Sequence, residues 1–486
     1  MRRRPDAALL LQYAALGLTL SLALPRPGGA QSAGSPAARP APLPAFHQLG
    51  RDVLRELIET NTTQSSGSTT VAAERMAARF RAAGFPAADV QVLGAGPKSG
   101  NLLVRYRGSG GGARKPVLLL AHLDVVEAKR EDWTVDPFVL TEKDGFFYGR
   151  GTLDIKGGAA ALVASLLRLK QEGFQPDRDL VLALTAGEET GVENGVQWLL
   201  ANHRDLIDAE YCLNVDAGGG EIVNGKRTAM DVQAAEKVYL SFTLTVRNAG
   251  GHSSMPTRDN AIYRLAAGLE RLSRYEFPTR LNDITREYFS RMAAITTGPQ
   301  GLDMRTVAKE PRADAAVRRL SASPLYNALM RTTCVATQLE GGHAENALPQ
   351  TARAVVNCRM LPDEDPRAVQ RTLARVVADT AIAIDTVGAP VPSPASPLTP
   401  ELLRDIERVT RSLWGPLPVI PYMETGATDG LFLRNAGMPV YGFVGIFYDV
   451  DDVRSHGRDE RIGVREFYDG LEFEYRLVKA VSSPSA

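Results

Sequence analysis

The stretch VLLLAHLD at residues 117–124 is an apolar run that ends in an imidazole and a carboxylate. Two later stretches repeat the pattern, LVLALTAGEE at 180–189 and YCLNVD at 211–216. Short, unbroken apolar runs are typical of strands that are buried on both faces of a parallel sheet. Because helical patterns at 159–169 and 196–203 alternate with these runs, the sequence predicts an α/β domain with a mostly parallel sheet.

Polar residues follow these predicted strands at the spacing of one strand–helix unit. The glycine-rich stretch YGRGTLDIKG at 148–157 contributes an aspartate between the first two strands, and SHG at 455–457 contributes a late imidazole. The carboxyl ends of parallel strands share one edge of a sheet, where ligands bind. A single such residue is more often a helix cap or a solvated charge. Together they predict one site, formed by His122, Asp154, Glu188 with Glu189, Asp216 and His456.

Several carboxylates cannot be buried together unless cations neutralise them. Imidazole and carboxylate ligands without thiolate favour zinc, with manganese or cobalt as substitutes. Asp124 lies two residues from His122 on the same strand face, so we expect its carboxylate to orient that imidazole. Glu188 and Glu189 are adjacent and point apart, so one can bind metal while the other remains a free base.

The pattern of apolar and polar residues changes at residue 237. Alternating strands and two amphipathic helices predict the order strand, helix, strand, strand, helix, strand, which is typical of a small ferredoxin-like α+β domain. Residues 275–333 form an extra, charged and helical insertion, and five prolines mark 387–400 as a linker. The predicted organisation is a catalytic domain at 46–236, a lid or dimerisation domain at 237–387, and the rest of the catalytic domain at 388–486.

The composition excludes some classes of protein. The 486 residues are 44% hydrophobic and 23% charged, as in soluble globular proteins. Lys and Arg number 56, as do Asp and Glu, so no net positive charge favours nucleic acid or an anionic membrane. Three cysteines are too few for a disulfide scaffold. If a hairpin turn centres on Asn346, however, Cys334 and Cys358 become cross-strand neighbours that could form a disulfide in an oxidising compartment.

The N-terminus has the pattern of an export signal. Three arginines at 2–4 precede an apolar run at 7–24, and small residues end at Ala30. We therefore expect a signal peptide at 1–30, a Pro/Ala-rich linker at 31–45, and a periplasmic or secreted protein without stable membrane insertion. An uncleaved membrane anchor is the alternative, and the three arginines also permit twin-arginine export.

The chain resembles the dinuclear zinc metallopeptidase and amidohydrolase family of glutamate carboxypeptidase, carnosinase, aminoacylase and succinyl-diaminopimelate desuccinylase. Each matching motif is weak alone, but all run in the family's order over nearly all of the chain after residue 45. They are AHLDVV (121–126), YGRGTLDIKGG (148–158), TAGEETG (185–191), NVDAGG (214–219), AGGHSSMP (249–256), NALPQTARAVVNCR (346–359), TGATDG (425–430) and SHGRDERI (455–462).

The resemblance implies a role for each site residue. His122 and Asp216 would bind one Zn²⁺ and Glu189 and His456 the other, with Asp154 bridging. Glu188 would be the general base that takes a proton from the bridging water and passes it to the leaving amine, and Asp124 would orient His122.

The resemblance also assigns substrate-binding residues to the lid and to the late loop. His252 resembles the histidine that stabilises the tetrahedral intermediate, often from a partner subunit, and Arg359 resembles the clamp for the substrate carboxylate. Asn346 and Gly426 are further candidates. The insertion at 275–333 resembles the branch of carboxypeptidase S and N-acyl amino acid hydrolases. The resemblance implies a homodimer through the lid, which this insertion could block.

The sequence therefore predicts an exported hydrolase that cleaves a peptide or N-acyl amide bond next to a free carboxylate. Carboxypeptidase or dipeptidase activity is the first reading, and N-acyl amino acid deacylation is the alternative. A non-catalytic binding homologue and an exported scaffold are the rivals from other classes. Neither rival class explains why the acidic cluster is complete and why Glu188 is present.

Overall fold

The structure is a computed structural model, and it describes residues 43–484. The predicted signal peptide at 1–30 and most of the predicted linker at 31–45 lie outside the described residues. A helix begins at Ala45, next to the predicted start of the folded chain.

A ten-stranded sheet forms the larger part of the molecule. The three strands predicted at 117–120, 180–184 and 211–215 are neighbours at its centre and pair in parallel. The strands at the edges are partly antiparallel. In spatial order the sheet contains Val90–Gly94, Gly100–Tyr106, Leu180–Thr185, Val117–His122, Tyr211–Asn214, Val440–Gly442, Lys226–Glu236, Gly219–Val223 and Phe447–Asp449, with Val419–Glu424 pairing in parallel with Lys226–Glu236.

Helices pack against this sheet because its central strands are apolar on both faces. Every residue of Val117–His122 and of Leu180–Thr185 is buried. Residues 156–166 of the helix Lys156–Gln171 are also all buried, so this helix lies inside the domain and not on its surface. The helices of this part are Ala45–Ile58, Thr69–Ala82, Lys156–Gln171, Gly195–Asn202, Arg204–Ile207, Pro400–Trp414, Gly430–Asn435 and Val464–Val481.

Residues 238–387 contribute a second sheet of four antiparallel strands. Its spatial order is Thr333–Gly341, Thr351–Met360, Val238–Arg247 and Ile382–Val387. The helices Ala261–Ser273 and Pro366–Val377 share its apolar core, in which Phe242 and Leu373 are fully buried. The predicted strand and helix order is therefore present, and the predicted fold class is confirmed. Both sheets belong to one compact unit that begins at Pro44, so the domain boundaries remain predictions.

The insertion at 275–333 is helical, as predicted, and contains Asp283–Ile295, Gly298–Lys309, Asp314–Leu320 and Pro324–Met330. Its first helix packs against a strand of the large sheet, where Arg291 donates a 2.9 Å hydrogen bond to the carbonyl of Val419. Residues 388–399 of the predicted linker contain no helix or strand, but Ser393 and Ser396 among them are buried.

Two smaller sheets complete the strands of residues 43–484: Gly251–His252 with Ala347–Leu348, and Thr141–Lys143 with Phe146–Tyr148 and Arg461–Gly463. Among the described helices, none has the length and apolar character needed to cross a membrane.

The structure contains the predicted disulfide between Cys334 and Cys358. The two residues lie opposite each other on the strands Thr333–Gly341 and Thr351–Met360. A bulge between Ala336 and Gln338 shifts the register on the turn side of the hairpin only. The cross-strand pairing that the turn position predicted is therefore preserved at the cysteines.

Candidate active site

The first candidate ion position lies at the carboxyl edge of the large sheet. His122 is the last residue of its strand, Asp216 follows the neighbouring strand, and Asp154 lies on the loop before the helix Lys156–Gln171. Nε2 of His122 is 3.3 Å from a carboxylate oxygen of Asp154 and 3.3 Å from one of Asp216. These three residues each offer a ligand atom, and the three atoms lie within 4.8 Å of one another.

The second candidate ion position shares Asp154 with the first. Nε2 of His456 lies 3.2 Å from the other Asp154 oxygen and 2.9 Å from a Glu189 oxygen. Asp154, Glu189 and His456 again offer ligand atoms within 4.8 Å of one another. One carboxylate therefore faces two groups of ligands, as the sequence predicted. The structure brings all five predicted metal ligands together.

Two buried atoms of this cluster have no hydrogen-bond partner among the described residues. They are Nε2 of His122 and Oε1 of Glu189, one in each ligand group. Buried polar atoms are almost always paired, so an unpaired imidazole nitrogen and an unpaired carboxylate oxygen call for another partner. Imidazole nitrogen and carboxylate oxygen are ligands of zinc and related divalent ions. The residues present therefore fit a pair of divalent cations.

The protonation of the cluster leads to the same conclusion. Burial lowers the pKa of His122, but Asp216 and Asp154 outweigh this and hold it well above its ordinary value. Contacts with Asp154 and Glu189 raise the pKa of His456 to about 10. Burial raises the pKa of Asp216 to about 6. In the ion-free chain the cluster thus takes up protons to offset its negative charge, which divalent cations would otherwise neutralise.

Asp124 differs from its predicted role. Its carboxylate comes no closer than 3.8 Å to Nδ1 of His122, too far for a hydrogen bond, and the backbone carbonyl of Asp124 lies 3.0 Å from that nitrogen instead. The carboxylate accepts hydrogen bonds from the backbone N–H groups of Glu188, at 3.2 Å, and Glu189, at 3.0 Å. The side chain therefore positions the turn that carries the two glutamates, while the main chain orients the imidazole.

Glu188 adjoins the ligand cluster, and its carboxyl group is largely withdrawn from water. Burial, followed by the charge of Asp216, raises the pKa of Glu188 to about 10. Within residues 43–484 its side chain takes part in no hydrogen bond or ion pair, whereas that of Glu189 contacts His456. The two adjacent glutamates therefore differ in their surroundings, as the sequence predicted: one faces a ligand group and the other has no protein partner.

Glu460 is a functional residue that the sequence analysis missed. One of its oxygens accepts hydrogen bonds from the backbone N–H groups of Leu153, at 2.8 Å, and Asp154, at 2.9 Å. The other accepts from Gly151, at 2.9 Å, and from the Arg150 guanidinium, at 2.7 Å. Arg150 also donates to the carbonyl of Gly457, next to His456. This fully buried pair joins the loop of Asp154 to the loop of His456.

Asn194 and Asp429 are a second pair that was missed. Asn194 donates a 2.6 Å hydrogen bond to Asp429 and a 3.3 Å bond to the carbonyl of Gly187, in the turn before Glu188. Asp429 lies in the TGATDG motif, so the late loop supports the glutamate turn. The sequence did contain a signal for both missed carboxylates, because Asp429 lies inside the motif TGATDG and Glu460 inside the motif SHGRDERI.

Two of the predicted lid residues, His252 and Asn346, lie side by side and are exposed. His252 pairs with Ala347 across a short two-stranded sheet, and the carbonyl of Asn346 accepts a 3.0 Å hydrogen bond from the N–H of Ser253. Ser254 donates its N–H to Nδ1 of His252, at 3.1 Å. Among the described residues no hydrogen bond or ion pair joins His252 or Asn346 to the ligand cluster.

Arg359 is half-buried and stacks over the ring of Tyr239, with 4.7 Å between the guanidinium carbon and the ring centre. Its guanidinium donates to no acceptor within residues 43–484, and burial lowers the pKa of Arg359. Gly426, the further candidate on the late loop, has one backbone group that is already paired. Its N–H donates a 3.0 Å hydrogen bond to Glu424.

An α/β sheet whose carboxyl edge holds two ligand groups around a shared aspartate defines the class of metal-dependent hydrolases. The family model described as Peptidase family M20/M25/M40 matches residues 118–480. The chain belongs to this family, which confirms the resemblance drawn from its motifs. It is accordingly a hydrolase of peptide or other amide bonds.

Among curated relatives, the chain is 30% identical over 382 residues to N-fatty-acyl-amino acid synthase/hydrolase PM20D1 of Homo sapiens, a match that covers 75% of this chain and 74% of that protein. It is 28% identical over 376 residues to probable carboxypeptidase S-like 2 of Dictyostelium discoideum, covering 75% of this chain and 71% of the relative.

Solved structures share the fold at low sequence identity. The M20 family metallo-carboxypeptidase Sso-CP2 from Sulfolobus solfataricus matches with a TM-score of 0.67 and 19% identity, covering 88% of this chain and 98% of that one. Human carnosine dipeptidase 1 matches with a TM-score of 0.61 and 17% identity, covering 90% and 96%.

Proposed function

We propose that this protein is an exported, dinuclear metal-dependent hydrolase that cleaves a peptide or N-acyl amide bond next to a free carboxylate. The observation that carries the proposal is the position of Asp154, whose two oxygens face separate imidazoles at 3.3 and 3.2 Å. An isolated carboxylate would not need two such groups. Two cations that share a bridging ligand account for both.

The proposed cofactors are two Zn²⁺ ions, for which Co²⁺ or Mn²⁺ would be substitutes. His122 and Asp216 would hold one ion, Glu189 and His456 the other, and Asp154 both. When bound, such ions would polarise an amide carbonyl and would lower the pKa of a bound water molecule to about 7.

Glu188 is the proposed general base. Cations held by the ligand groups would offset the negative charge that raises the pKa of Glu188, so that its carboxylate could accept a proton from the attacking water and return it to the nitrogen of the leaving amine. Glu188 lies beside the ligand cluster, and its side chain has no hydrogen-bond or ion-pair partner among the described residues. Asp124 positions its turn by accepting hydrogen bonds from the backbone N–H groups of Glu188 and Glu189. His252, from the lid, is proposed to donate to the oxygen anion that forms at the carbonyl.

Arg359 is the proposed clamp for the substrate carboxylate. A half-buried guanidinium without an acidic partner can form a bidentate pair with an incoming carboxylate, and its stacking on Tyr239 restricts its orientation beforehand. Asn346 would assist from the same lid. Gly426 is less suited to contact the substrate because its N–H is bonded to Glu424.

The second candidate function is hydrolysis of N-acyl amino acids. Its support is the 30% identity with a relative whose name states N-fatty-acyl-amino acid synthase/hydrolase activity. A peptide and an N-acyl amino acid both present an amide followed by a free carboxylate, so the same clamp serves both. A non-catalytic binding homologue or an assembly scaffold is disfavoured because Glu188 and all five ligand residues are present.

Export is supported by the positive, apolar and small-residue order at 1–30 and by the Cys334–Cys358 disulfide, since such bonds persist in oxidising compartments. We propose a periplasmic or secreted protein that acts on small peptides or N-acyl amino acids, with no nucleic acid partner and no stable membrane insertion. The lid is the proposed surface for a homodimer.

A hydrolysis panel tests the proposal. Dipeptides, longer peptides and N-acyl amino acids would each be offered with free and amidated C-termini, alongside metal analysis of the purified protein. We expect two metal ions per chain and hydrolysis only of substrates with a free carboxylate. Absence of metal after purification from metal-supplemented medium, or equal hydrolysis of amidated substrates, would contradict the proposal.

A further inference from the structure

Glu236 is a buried charge at the junction between the two larger sheets. It ends the strand Lys226–Glu236 of the large sheet, and the first strand of the second sheet begins two residues later, at Val238. The Glu236 carboxylate lies 3.1 Å from the guanidinium of Arg434, and both side chains are at most 1% exposed. A charge is tolerated in the interior when it is paired and hydrogen-bonded. The fold therefore keeps an ionic contact at the point where the chain leaves the large sheet.

Both carboxylate oxygens of Glu236 also accept hydrogen bonds from other segments. One oxygen accepts from the backbone N–H and the hydroxyl of Thr428, each at 3.1 Å, and from Gln233 at 3.2 Å. The other accepts from the hydroxyl of Ser393, at 2.7 Å, in the segment that returns from the second sheet. A carboxylate accepts at both oxygens without donating, whereas an amide has one NH₂ group. Glutamine at this position would therefore face donors with its own donor in either orientation.

Residues 236 and 237 hold the late loop, residues 425–430, near both of its ends. The Thr428 hydroxyl accepts a 3.1 Å hydrogen bond from the N–H of Gly430, so its own proton is directed toward Glu236. The backbone N–H of Lys237 donates a 3.0 Å bond to the carbonyl of Glu424, directly before the loop. The position of the late loop therefore depends on the two residues that connect the sheets.

The late loop in turn supports the glutamate turn. Asp429, the neighbour of Thr428, accepts a 2.6 Å hydrogen bond from Asn194, and Asn194 also donates a 3.3 Å bond to the carbonyl of Gly187. Asp429 and Asn194 are both buried. Gly187 directly precedes Glu188. A chain of buried hydrogen bonds, joined only by steps between sequence neighbours, therefore leads from Glu236 to the turn of the proposed general base.

We propose that Glu236 is a positioning residue for hydrolysis, which fixes the main chain of Glu188 through the late loop and Asn194. This inference rests on the proposed function, in which Glu188 is the general base. Among the described residues, Glu236 contacts neither a predicted metal ligand nor Arg359, so its effect should fall on turnover more than on substrate binding. A purely structural ion pair, whose loss lowers only the fraction of folded protein, is the competing outcome.

A double-mutant cycle in turnover tests the inference. The variants Glu236→Gln, Asn194→Ala and the double variant would be assayed at saturating metal with the best substrate of the hydrolysis panel, and kcat would be normalised to the folded fraction. A small displacement of catalytic groups costs about 100-fold. We expect kcat to fall about 10- to 100-fold in each single variant, with KM unchanged, and the double variant to be no slower than Asn194→Ala. Glu474→Gln, which replaces a buried glutamate on the helix Val464–Val481, should keep the wild-type kcat.

Effects that multiply in the double variant would show that the two residues act independently and would overturn the inference. Wild-type kcat in folded Glu236→Gln would overturn it as well. If Glu236→Gln does not fold, Thr428→Val takes its place in the cycle, because it removes only the hydroxyl of the contact. Thr428→Ser keeps that hydroxyl, and we expect it to retain turnover; equal losses in the valine and serine variants would contradict the proposed chain of contacts.

Hydrogen exchange supplies a measurement that needs no turnover. We expect the backbone amides of residues 187–191 to exchange faster in Glu236→Gln than in the wild type, while the central strand Val117–His122 stays equally protected. Unchanged exchange in the turn, or an equal increase in the strand, would contradict the positioning role. A wild type that hydrolyses no substrate of the panel contradicts the proposed function instead, and the exchange result then decides whether Glu236 positions the turn.

Discussion

The backbone N–H of Asp154 donates a 2.9 Å hydrogen bond to the buried carboxylate of Glu460. The side chain that faces both ligand groups is therefore positioned by a residue 306 positions later in the chain. The contact fixes the main chain of Asp154, so its two carboxylate oxygens can each point to a different imidazole. Glu460 thus affects the candidate metal site indirectly, by positioning Asp154.

Replacement of Glu460 should weaken metal binding without removing a ligand. In Glu460→Gln the amide NH₂ group cannot accept from the backbone N–H groups, and Arg150 loses its buried ionic partner. We expect metal affinity to fall about 10- to 100-fold and stability to fall by about 3–5 kcal/mol. Competition with a chelator and denaturant unfolding measure the two effects. The exposed Glu131→Gln is the control, and wild-type metal affinity in Glu460→Gln would refute this positioning role.

Glu188→Gln should separate metal binding from turnover. Glutamine has nearly the same shape but cannot accept a proton at neutral pH, so we expect both metals to remain and kcat to fall about 10²- to 10⁴-fold. Metal analysis and steady-state kinetics on the same preparation measure this. Glu193→Gln, an exposed glutamate shortly after the same turn, should retain wild-type turnover. Undiminished activity of Glu188→Gln would show that another residue is the base.

Arg359→Ala should harm substrates with a free carboxylate selectively. Loss of a charge-assisted bidentate pair corresponds to about 10- to 100-fold in kcat/KM. Parallel assays of free and amidated forms of one substrate measure the selectivity. Arg353→Ala, an exposed arginine on the same strand, is the matched control. If the free and amidated forms lose activity equally, the clamp assignment is wrong.

The disulfide predicts a thiol count and a stability difference. Unfolded but unreduced protein should react at one cysteine, Cys212, because Cys334 and Cys358 are bonded. We expect the double replacement Cys334→Ser with Cys358→Ser to lower the free energy of unfolding by about 2–4 kcal/mol. Reducing agent should destabilise the wild type by a similar amount and leave the double variant unchanged. Three reactive thiols in the unreduced chain would contradict the bond.

Glu474 should make stability depend on pH far from the active site. Burial raises the pKa of Glu474 from 4.5 to about 8, while its one described partner is the N–H of Gly445 at 3.0 Å. The folded state therefore keeps a proton that the unfolded state has released. This contribution to stability is complete below pH 4.5 and is lost as the pH rises through about 8.

The variant Glu474→Gln stays neutral at every pH and can still accept from Gly445. We expect it to match the wild type near pH 4 and to melt about 2–4 °C higher at pH 9. Thermal unfolding from pH 4 to 9 measures the difference. Glu472→Gln, on the same helix but partly exposed, should keep the pH profile of the wild type. A parallel profile for Glu474→Gln would mean that this carboxyl group is not the cause.

The sequence predicted the parts of the site that depend on chain periodicity. His122, Asp154, Glu189 and Asp216 follow buried strands or begin a buried helix, and parallel strands bring such positions to one edge. The cysteine pairing was likewise predictable, because it needed only the position of one hairpin turn. The fold class and the convergence of these residues therefore came from local patterns and spacing, whereas the choice of Glu189 over Glu188 as a ligand and the division of the ligands between two ions came from the family resemblance.

What could not be predicted depends on hydrogen bonds between distant side chains and the main chain. Glu460 and Asp429 lie in motifs that were quoted, but nothing in their spacing indicates that they bind Arg150 or Asn194. The role of Asp124 differed for the same reason. Its carboxylate oxygens accept hydrogen bonds from backbone N–H groups, and every residue except proline has such a group, so the sequence does not indicate which ones are bound. The N–H of Gly426 was also taken by a nearby carboxylate, Glu424.

The late position of His456 has a consequence for synthesis of the protein. Four ligand residues lie between 122 and 216, and the fifth is translated only after the whole small sheet and its helical insertion. A ribosome-bound chain can therefore assemble one ligand group long before the other. The site that the proposed function requires is therefore complete only after His456 has been translated.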